Sequence, residues 1–446
     1  MKIIFFTVLL FMVQQSNAVD KWYITDPNGF GFYLTTTIKD NKIKGFTRKN
    51  ALKNIVGWTK YTLIKLTTSI ASPEIIHLNG LVTGNKISGN IHNLFQKLSF
   101  TGEINEKSIQ IIINISQSKQ SILHGTKVTS FQAKRNYTDI FHQIFALTEK
   151  NIYQQSFIKS RKWLSFKKRM LKIAPKITDD LELQIAFYAY VRDFPFSHFQ
   201  LTKKPQETKT EDNSIKYAQL TEIDNQTVVL DIDQFMGTKQ EMDDLISQIE
   251  QKKYQNLIID LRDNPGGNFI SVYPLAQYLI SKPIIAGVFP NQRWYKEYGS
   301  TPKKEDYFLF FEFSTGTMDQ WMKLASQKYG IYYKIYPSQQ YFNGKVFILT
   351  NNNTASTSEP FVYGLKQAKI ATIVGENTRG AMLSMSRFEI DKDILLGIPL
   401  NDYITYTGHR IDKVGISPDV KSTTEKALET ALKLIQQEQS IKAHNE

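Results

Sequence analysis

The chain has 446 residues, 41% hydrophobic and 22% charged, which excludes a disordered protein and allows two or three domains around a large core. It has no cysteine, which excludes disulfides, thiol nucleophiles and thiolate-held metals. The formal charge of +13 is spread over scattered lysines. Their densest cluster, SRKWLSFKKRMLK at 160–172, is short and has no nucleic-acid motif beside it, so no nucleic-acid partner is expected.

In chain order, residues 1–18 (MKIIFFTVLLFMVQQSNA) carry a basic Lys2, an apolar run from Ile3 to Val13 and a polar end at Ser16-Asn17-Ala18. This is the pattern of a signal peptide cleaved after Ala18, and it predicts an exported protein, periplasmic or extracellular. The apolar run is shorter than the roughly 20 residues a membrane span needs, so no stable membrane anchor is expected.

Residues 19–130 predict a β-rich N-terminal domain, a meander or small barrel. Short alternating runs are divided by turn signals at Asp40-Asn41, Gly84-Asn85 and Asn105-Glu106. Residues 131–205 predict a helical segment. Ile140, Ile144, Phe145 and Leu147 fall on one helical face, and Thr178 followed by acidic residues predicts a helix start. Residues 202–216 are polar, contain Pro205 and read as a loop.

From 206 to 446 the pattern alternates strands and helices. TVVLDID, NLIIDLR, KVFILT and ATIVGE predict buried strands; TKQEMDDLISQIEQKK and SEPFVYGLKQA predict helices. The aromatic-rich stretch 291–340 interrupts this layout and predicts a lid or a substrate-facing insertion. The fold class expected is therefore α+β and multidomain.

Two stretches carry chemistry. In NNNTASTSEP the chain passes from strand to helix at Ser356, and Ser356 with Glu359 fits the S-x-x-E capping box. Ser356 is either a helix cap or a nucleophile. Both readings use the same place, the positive end of a helix with free amides nearby. In NLIIDLRDNPGGN a buried strand runs into Pro265-Gly266-Gly267, which is either a plain turn or a backbone that offers an amide to an oxyanion.

Four blocks in order, IIDLRDNPGG, NTASTSE, VGENTRG and VGISPDV, resemble the S41 serine peptidases, the tail-specific and tricorn-core group, over roughly 175–446. The resemblance implies a C-terminal crotonase-like αβ spiral. It also implies that Ser356 is the nucleophile and that the amides of Gly267 and Thr357 hold the oxyanion. The processing-protease branch has its base lysine where this chain has Ala381, and the neighbouring Arg379 keeps its proton in proteins. The tricorn-like branch uses a histidine upstream, and Ser197-His198 in DFPFSHFQ matches that place. An acidic residue precedes the closing block of that branch, usually Glu; here it is Asp412, with Ser197 linking it to His198.

The function expected is an exported serine peptidase working through a Ser–His acyl-enzyme, with a peptide or protein as substrate. The alternative is a catalytically silent S41 scaffold that binds a hydrophobic ligand or peptide. No cofactor is expected and no metal, since neither H-E-x-x-H nor a nucleotide fingerprint is present. The stretch 203–255 is too short for a typical PDZ insert. Substrate sequence and oligomeric state are left open.

Overall fold

The computed structural model describes residues 19–57, 61–62, 74–93, 96–115, 120–133, 135–204 and 216–445. The leader-like segment 1–18 and most of the polar stretch 202–216 lie outside these. The described chain divides into two compact units. The first takes residues up to Gln143 together with Ser165–Arg192; the second takes Ile144–Leu164 and Asp193 onward. The helical stretch 131–205 is thus divided between the units and does not stand as a segment of its own.

In the first unit eight antiparallel strands close into a barrel. They are β1 (Val19–Thr25), β2 (Gly31–Lys39), β3 (Lys42–Phe46), β4 (His77–Thr83), β5 (Lys86–His92), β6 (Lys97–Ile104), β7 (Ser108–Asn114) and β8 (Gln120–Val128). β8 returns to pair with β1, so no edge is left open. The alternation of the strands puts one row inward, and Trp22, Ile24, Phe32, Leu34, Ile43, Leu78 and Phe100 fill the interior. The turn signals act as expected. Asp40 and Asn41 both take left-handed backbone (φ 50 and 56), the geometry of a tight two-residue hairpin. Gly80 faces Gly89 across the β4–β5 ladder. A Cβ on Gly80 would lie 2.2 Å from the Ser88 carbonyl oxygen, and Phe100 covers the gap.

Helix α1 (Ala51–Val56) packs beside the helix Asp180–Val191 of the same unit. The N-cap of that second helix is Asp179, whose carboxylate accepts from the Glu182 amide at 2.9 Å, one residue later than the Thr178 expected. The Thr178 amide instead donates to the Glu182 carboxylate at 2.9 Å.

The second unit is built on a six-stranded sheet. Its strands, in spatial order, are β10 (Ala218–Glu222), β11 (Thr227–Ile232), β12 (Asn256–Asp260), β16 (Lys345–Thr350), β17 (Ala371–Gly375) and β20 (Val420–Lys421). Only β10 runs antiparallel to its neighbour. Both faces are covered, so the strands read as apolar runs. Leu257, Ile259, Val346 and Ile348 face one core with the helix Ser358–Gln367. Ile258, Phe347 and Leu349 face the other, against Ala427, Ala431 and Ile435 of the C-terminal helix.

A three-stranded sheet pairs β18 (Ser384–Asp391) with β19 (Ile394–Asn401) and β9 (Gln200–Lys203). The aromatic stretch 291–340 supplies β14 (Phe311–Phe313) and β15 (Gly330–Ile335) of a second small sheet, completed by the preceding β13 (Ile284–Pro290). Trp294, Tyr307 and Phe310 form a core of their own there. Among the described residues no helix is long and apolar enough to cross a membrane.

Phe100 is 1% exposed at the centre of the barrel, so Phe100→Ala is expected to lower unfolding stability by about 3–5 kcal/mol. A urea titration followed by fluorescence checks this. No change in midpoint would mean that the barrel interior is not packed as described.

Candidate active site

The parallel strands end on one side of the sheet, and the loops leaving them bring the candidate residues together, as open α/β sheets do. The loop after β16 is fixed at its base. The Thr354 hydroxyl donates to the Leu261 carbonyl at 2.7 Å, and the Ala355 amide donates to the Asn264 carbonyl at 3.0 Å. Ser356 then takes left-handed backbone, φ 55, which is uncommon for a residue with a Cβ.

That conformation separates the two readings of Ser356. The Ser356 amide lies 3.2 Å from the Glu359 carboxylate, so half of the capping box is present. The residue at the cap is Thr357, with no side-chain cap bond. The Ser356 hydroxyl sits 3.5 Å from His198 Nε2. The two neighbouring hydroxyls are otherwise employed. Thr357 donates to the Gly267 carbonyl at 2.7 Å and Ser358 to Asn264 Oδ1 at 3.1 Å.

His198 stands just before β9, also with left-handed backbone (φ 61). The phenylalanines around it hold the turn. Phe194 and Phe196 each pack on Phe157 at 4.8 Å between ring centroids, and Phe199 packs on Trp163 at 6.4 Å. Such pairs add about 0.5–1.5 kcal/mol each beyond their burial.

The other imidazole nitrogen, Nδ1, is 2.6 Å from Ser197 Oγ, and Ser197 Oγ is 2.5 Å from Asp412 Oδ1. The Ser197 amide also donates to Asp412 Oδ2 at 3.0 Å. The proton count settles the direction of this chain. A carboxylate only accepts and a hydroxyl has one proton, so Ser197 donates to Asp412 and accepts from Nδ1–H. Nε2 is then the unprotonated nitrogen, and it faces the Ser356 hydroxyl.

Asp412 is 2% exposed. Burial pushes its carboxyl upward, against the bonds from Ser197 and the charge of Arg410. Burial lowers His198 to about 4, helped by the charges of Arg387 and Lys413. The imidazole is therefore neutral at pH 7.

The glycine loop crosses beside Ser356. Gly266 has φ 97, and a Cβ on it would lie 2.6 Å from Ser356 Cβ and 2.9 Å from the Thr357 nitrogen. Gly267 has φ 153 and forms a bridge with Phe235. Among the described residues, neither the Gly267 amide nor the Thr357 amide donates to a protein acceptor, whereas the Ser356 amide is taken by Ala381 O and Glu359. The two free amides are the pair expected to face an oxyanion.

Two residues were not read from the sequence in the roles they hold. Glu359 is 0% exposed, and its carboxylate accepts from Thr378 Oγ1 (2.6 Å), the Gly380 and Ala381 amides (2.8 Å each) and the Ser356 amide. Asn264, also 0% exposed, reaches the Ile232 carbonyl with its NH₂ group. Its Oδ1 accepts from Gly266 N and Ser358 Oγ. The available signal was a carboxylate and an amide set inside runs otherwise destined for burial. Ala381, where a lysine base would stand, contributes only backbone, its carbonyl accepting from Ser356 N at 3.1 Å. Among the described residues no group of three or more His, Asp or Glu is placed to hold a metal ion.

A serine hydroxyl, a neutral imidazole and two unspent amides are the groups that acyl transfer to a serine requires. Comparison with known proteins places the segment. Residues 226–422 match the model of peptidase family S41. The chain is similar to the carboxyl-terminal-processing protease of Picosynechococcus sp., at 23% identity over 217 residues, 46% of this chain and 44% of that one. It is also similar to the carboxyl-terminal-processing protease of Synechocystis sp., at 25% identity over 174 residues, 39% of this chain and 32% of that one. The chain thus spans less than half the length of these curated relatives. Among solved structures, a lipoprotein from Streptococcus agalactiae aligns with 70% of this chain and 99% of its own, at 17% identity and a TM-score of 0.47.

Two outcomes follow from this geometry. The Gly266→Ala variant is expected to lose at least about 10²-fold in activity, since a methyl there displaces the serine or an oxyanion amide; near-wild-type turnover of an ester substrate would contradict the packing. The second concerns pH. His198 binds its proton at about 4 when folded and at 6.5 in its ordinary state. Its contribution to stability is thus present above 6.5 and is lost as pH falls through 4. The acid limb of kcat/KM is expected near pH 4, because kcat/KM reports the free enzyme. An acid limb at the ordinary histidine value would contradict it.

Proposed function

We propose that this chain is an exported serine peptidase that hydrolyses peptide bonds through an acyl-enzyme on Ser356. The observation that carries the reading is the continuous line from Asp412 through Ser197 and His198 to Ser356, in which only Nε2 is free to take a proton. The 3.5 Å separation is one that catalytic hydrogen bonds close as they tighten around bound substrate.

The steps follow from the groups in place. Ser356 Oγ attacks the carbonyl carbon of the scissile amide while His198 Nε2 takes its proton. The carbonyl oxygen gains the charge and moves toward the amides of Gly267 and Thr357, each worth about 10²–10³ in rate. His198 returns the proton to the leaving amine, and the C–N bond breaks. Water, activated by the same nitrogen, then attacks the ester and frees the acid. Asp412, through Ser197, fixes the tautomer and steadies the imidazolium in between.

The relatives named above are proteases, which supports a peptide or protein substrate; nothing in the site favours the silent-scaffold alternative. The crotonase-like spiral belongs to the same proposal. It is supported by the parallel run β11–β12–β16–β17–β20 with the site at its strand ends. Export rests on the leader pattern of residues 1–18.

A fluorophosphonate probe is expected to label the wild-type protein and to leave Ser356→Ala unlabelled with its fold intact. Peptide hydrolysis undiminished in Ser356→Ala would end the assignment. Asp412→Asn is expected to keep the fold and lower kcat by about 10²-fold or more, since an amide can present its NH₂ to Ser197 and reverse the hydrogen-bond direction; full activity in that variant would remove the relay.

A further inference from the structure

Two residues beyond the Gly267 amide, the chain enters the wall of a separate cavity. Asn268 caps the helix Phe269–Leu279, its side chain accepting from the Ser271 amide at 3.0 Å. Phe269 and Tyr273, on the first turns of that helix, line a cavity of about 340 Å³ with Phe313, Trp321 and Tyr333. Consecutive Cα atoms are 3.8 Å apart, so Phe269 begins within about 7.6 Å of the oxyanion glycine. Phe269 thus ties one wall of the cavity to the oxyanion loop.

The walls are a connected aromatic set. Phe269 packs on Tyr333 at 5.2 Å and on Trp321 at 5.7 Å, and Phe313 packs on Tyr333 at 5.8 Å. Its donors are not spent. Trp321 is 2% exposed and its indole N–H has no acceptor, which is rare for a buried donor. The Tyr333 hydroxyl also has no hydrogen-bond partner among the described residues, and burial pushes it well above its ordinary value. The cation on the rim, Lys239, is already paired with Asp243 at 2.5 Å. Nothing there solicits a charge. Aromatic faces favour a ring packed edge to face, and the unspent donors favour an occupant that brings an acceptor with its apolar bulk.

We propose that this cavity is the specificity pocket of the peptidase, seating a large aromatic side chain of the substrate next to the scissile bond. The inference rests on the peptidase reading above and adds the substrate class. It also gives part of the 291–340 insertion a substrate-facing role, since Phe313, Trp321 and Tyr333 all come from it.

The test is a digest of a synthetic mixed oligopeptide library, with cleavage sites read by mass spectrometry. Sites with Phe, Tyr or Trp next to the cut are expected to be enriched at least about tenfold over Ala, Lys or Asp, the discrimination a pocket of matched shape gives. Ile270, half-buried on the same lining, allows the cavity to be filled without hollowing the core. Ile270→Trp is expected to lose the aromatic preference while still cleaving beside small residues and labelling with fluorophosphonate. Phe269→Ala, which removes a wall ring that a bound aromatic would pack against, is expected to lose the same preference and replaces the first variant if that one does not fold. A labelled wild type indifferent to aromatic residues, or an unchanged profile in the folded variant, overturns the pocket and leaves the peptidase reading standing. Binding of N-acetyl-phenylalaninamide, compared with N-acetyl-alaninamide by tryptophan fluorescence, separates the two claims. Preferential binding by a chain that neither labels nor cleaves keeps the aromatic site and overturns the peptidase reading; no preference overturns the pocket.

Discussion

A buried carboxylate holds the site in shape. Glu359 sits at 0% exposure, where an unpaired charge or a missing bond would be costly. It takes three donors from the loop after β17, the Thr378 hydroxyl and the Gly380 and Ala381 amides, and one from Ser356 itself. Burial raises its pKa while those four bonds lower it. Together with Asn264, which ties the glycine loop to Ser358 and to the end of β11, it joins three loops that leave three different strands. Without this web the left-handed backbone at Ser356 would have no reason to persist, since the surroundings must over-determine such a conformation.

The same web decides which amides remain for chemistry. Ser356 N is consumed twice over, so an oxyanion has to look to Thr357 and to Gly267. Gly266 must be glycine because its missing Cβ is where Ser356 and Thr357 come close. Conformation, donor supply and packing thus converge on one small volume. Rotating any one of these three backbones would force the others to move.

The sequence was most legible where local chemistry alone decides the outcome. Asp40-Asn41 and Gly84-Asn85 marked hairpins because their backbone preferences act within two residues. NLIIDL and KVFILT read as strands because a parallel sheet buries both faces. The serine and glycine of the site stood in two of the ordered blocks, the histidine and aspartate were located through the resemblance those blocks carry, and the structure links aspartate, histidine and serine through Ser197. What stayed hidden depends on distant partners. The role of Glu359 as a knot for residues 378–381, beyond its capping bond from Ser356, is set by contacts about twenty positions away in the chain. The division of the helical stretch between two units has no local signal, because its apolar stripes specify burial but not the surface that buries them. The 291–340 stretch reads as an interruption by composition, yet its aromatics fold into a sheet and a core of their own.

In the proposed mechanism, with alanine at position 381, the acid–base work falls to a histidine, a residue that tolerates burial differently from lysine. A lysine base needs an apolar pocket to lower its pKa by several units before it can accept a proton at neutrality. Histidine starts at the right value, so the same burial carries it past that point, to about 4 here. An imidazole that weak needs help to hold a proton in the transition state. The Asp412 charge, delivered through the Ser197 hydroxyl, grows in value as Nε2 becomes protonated. It does little in the resting state, where Nδ1–H is already satisfied. In the proposed mechanism the relay would therefore stabilise the charged intermediate in preference to the ground state, which is the condition under which an interaction raises kcat.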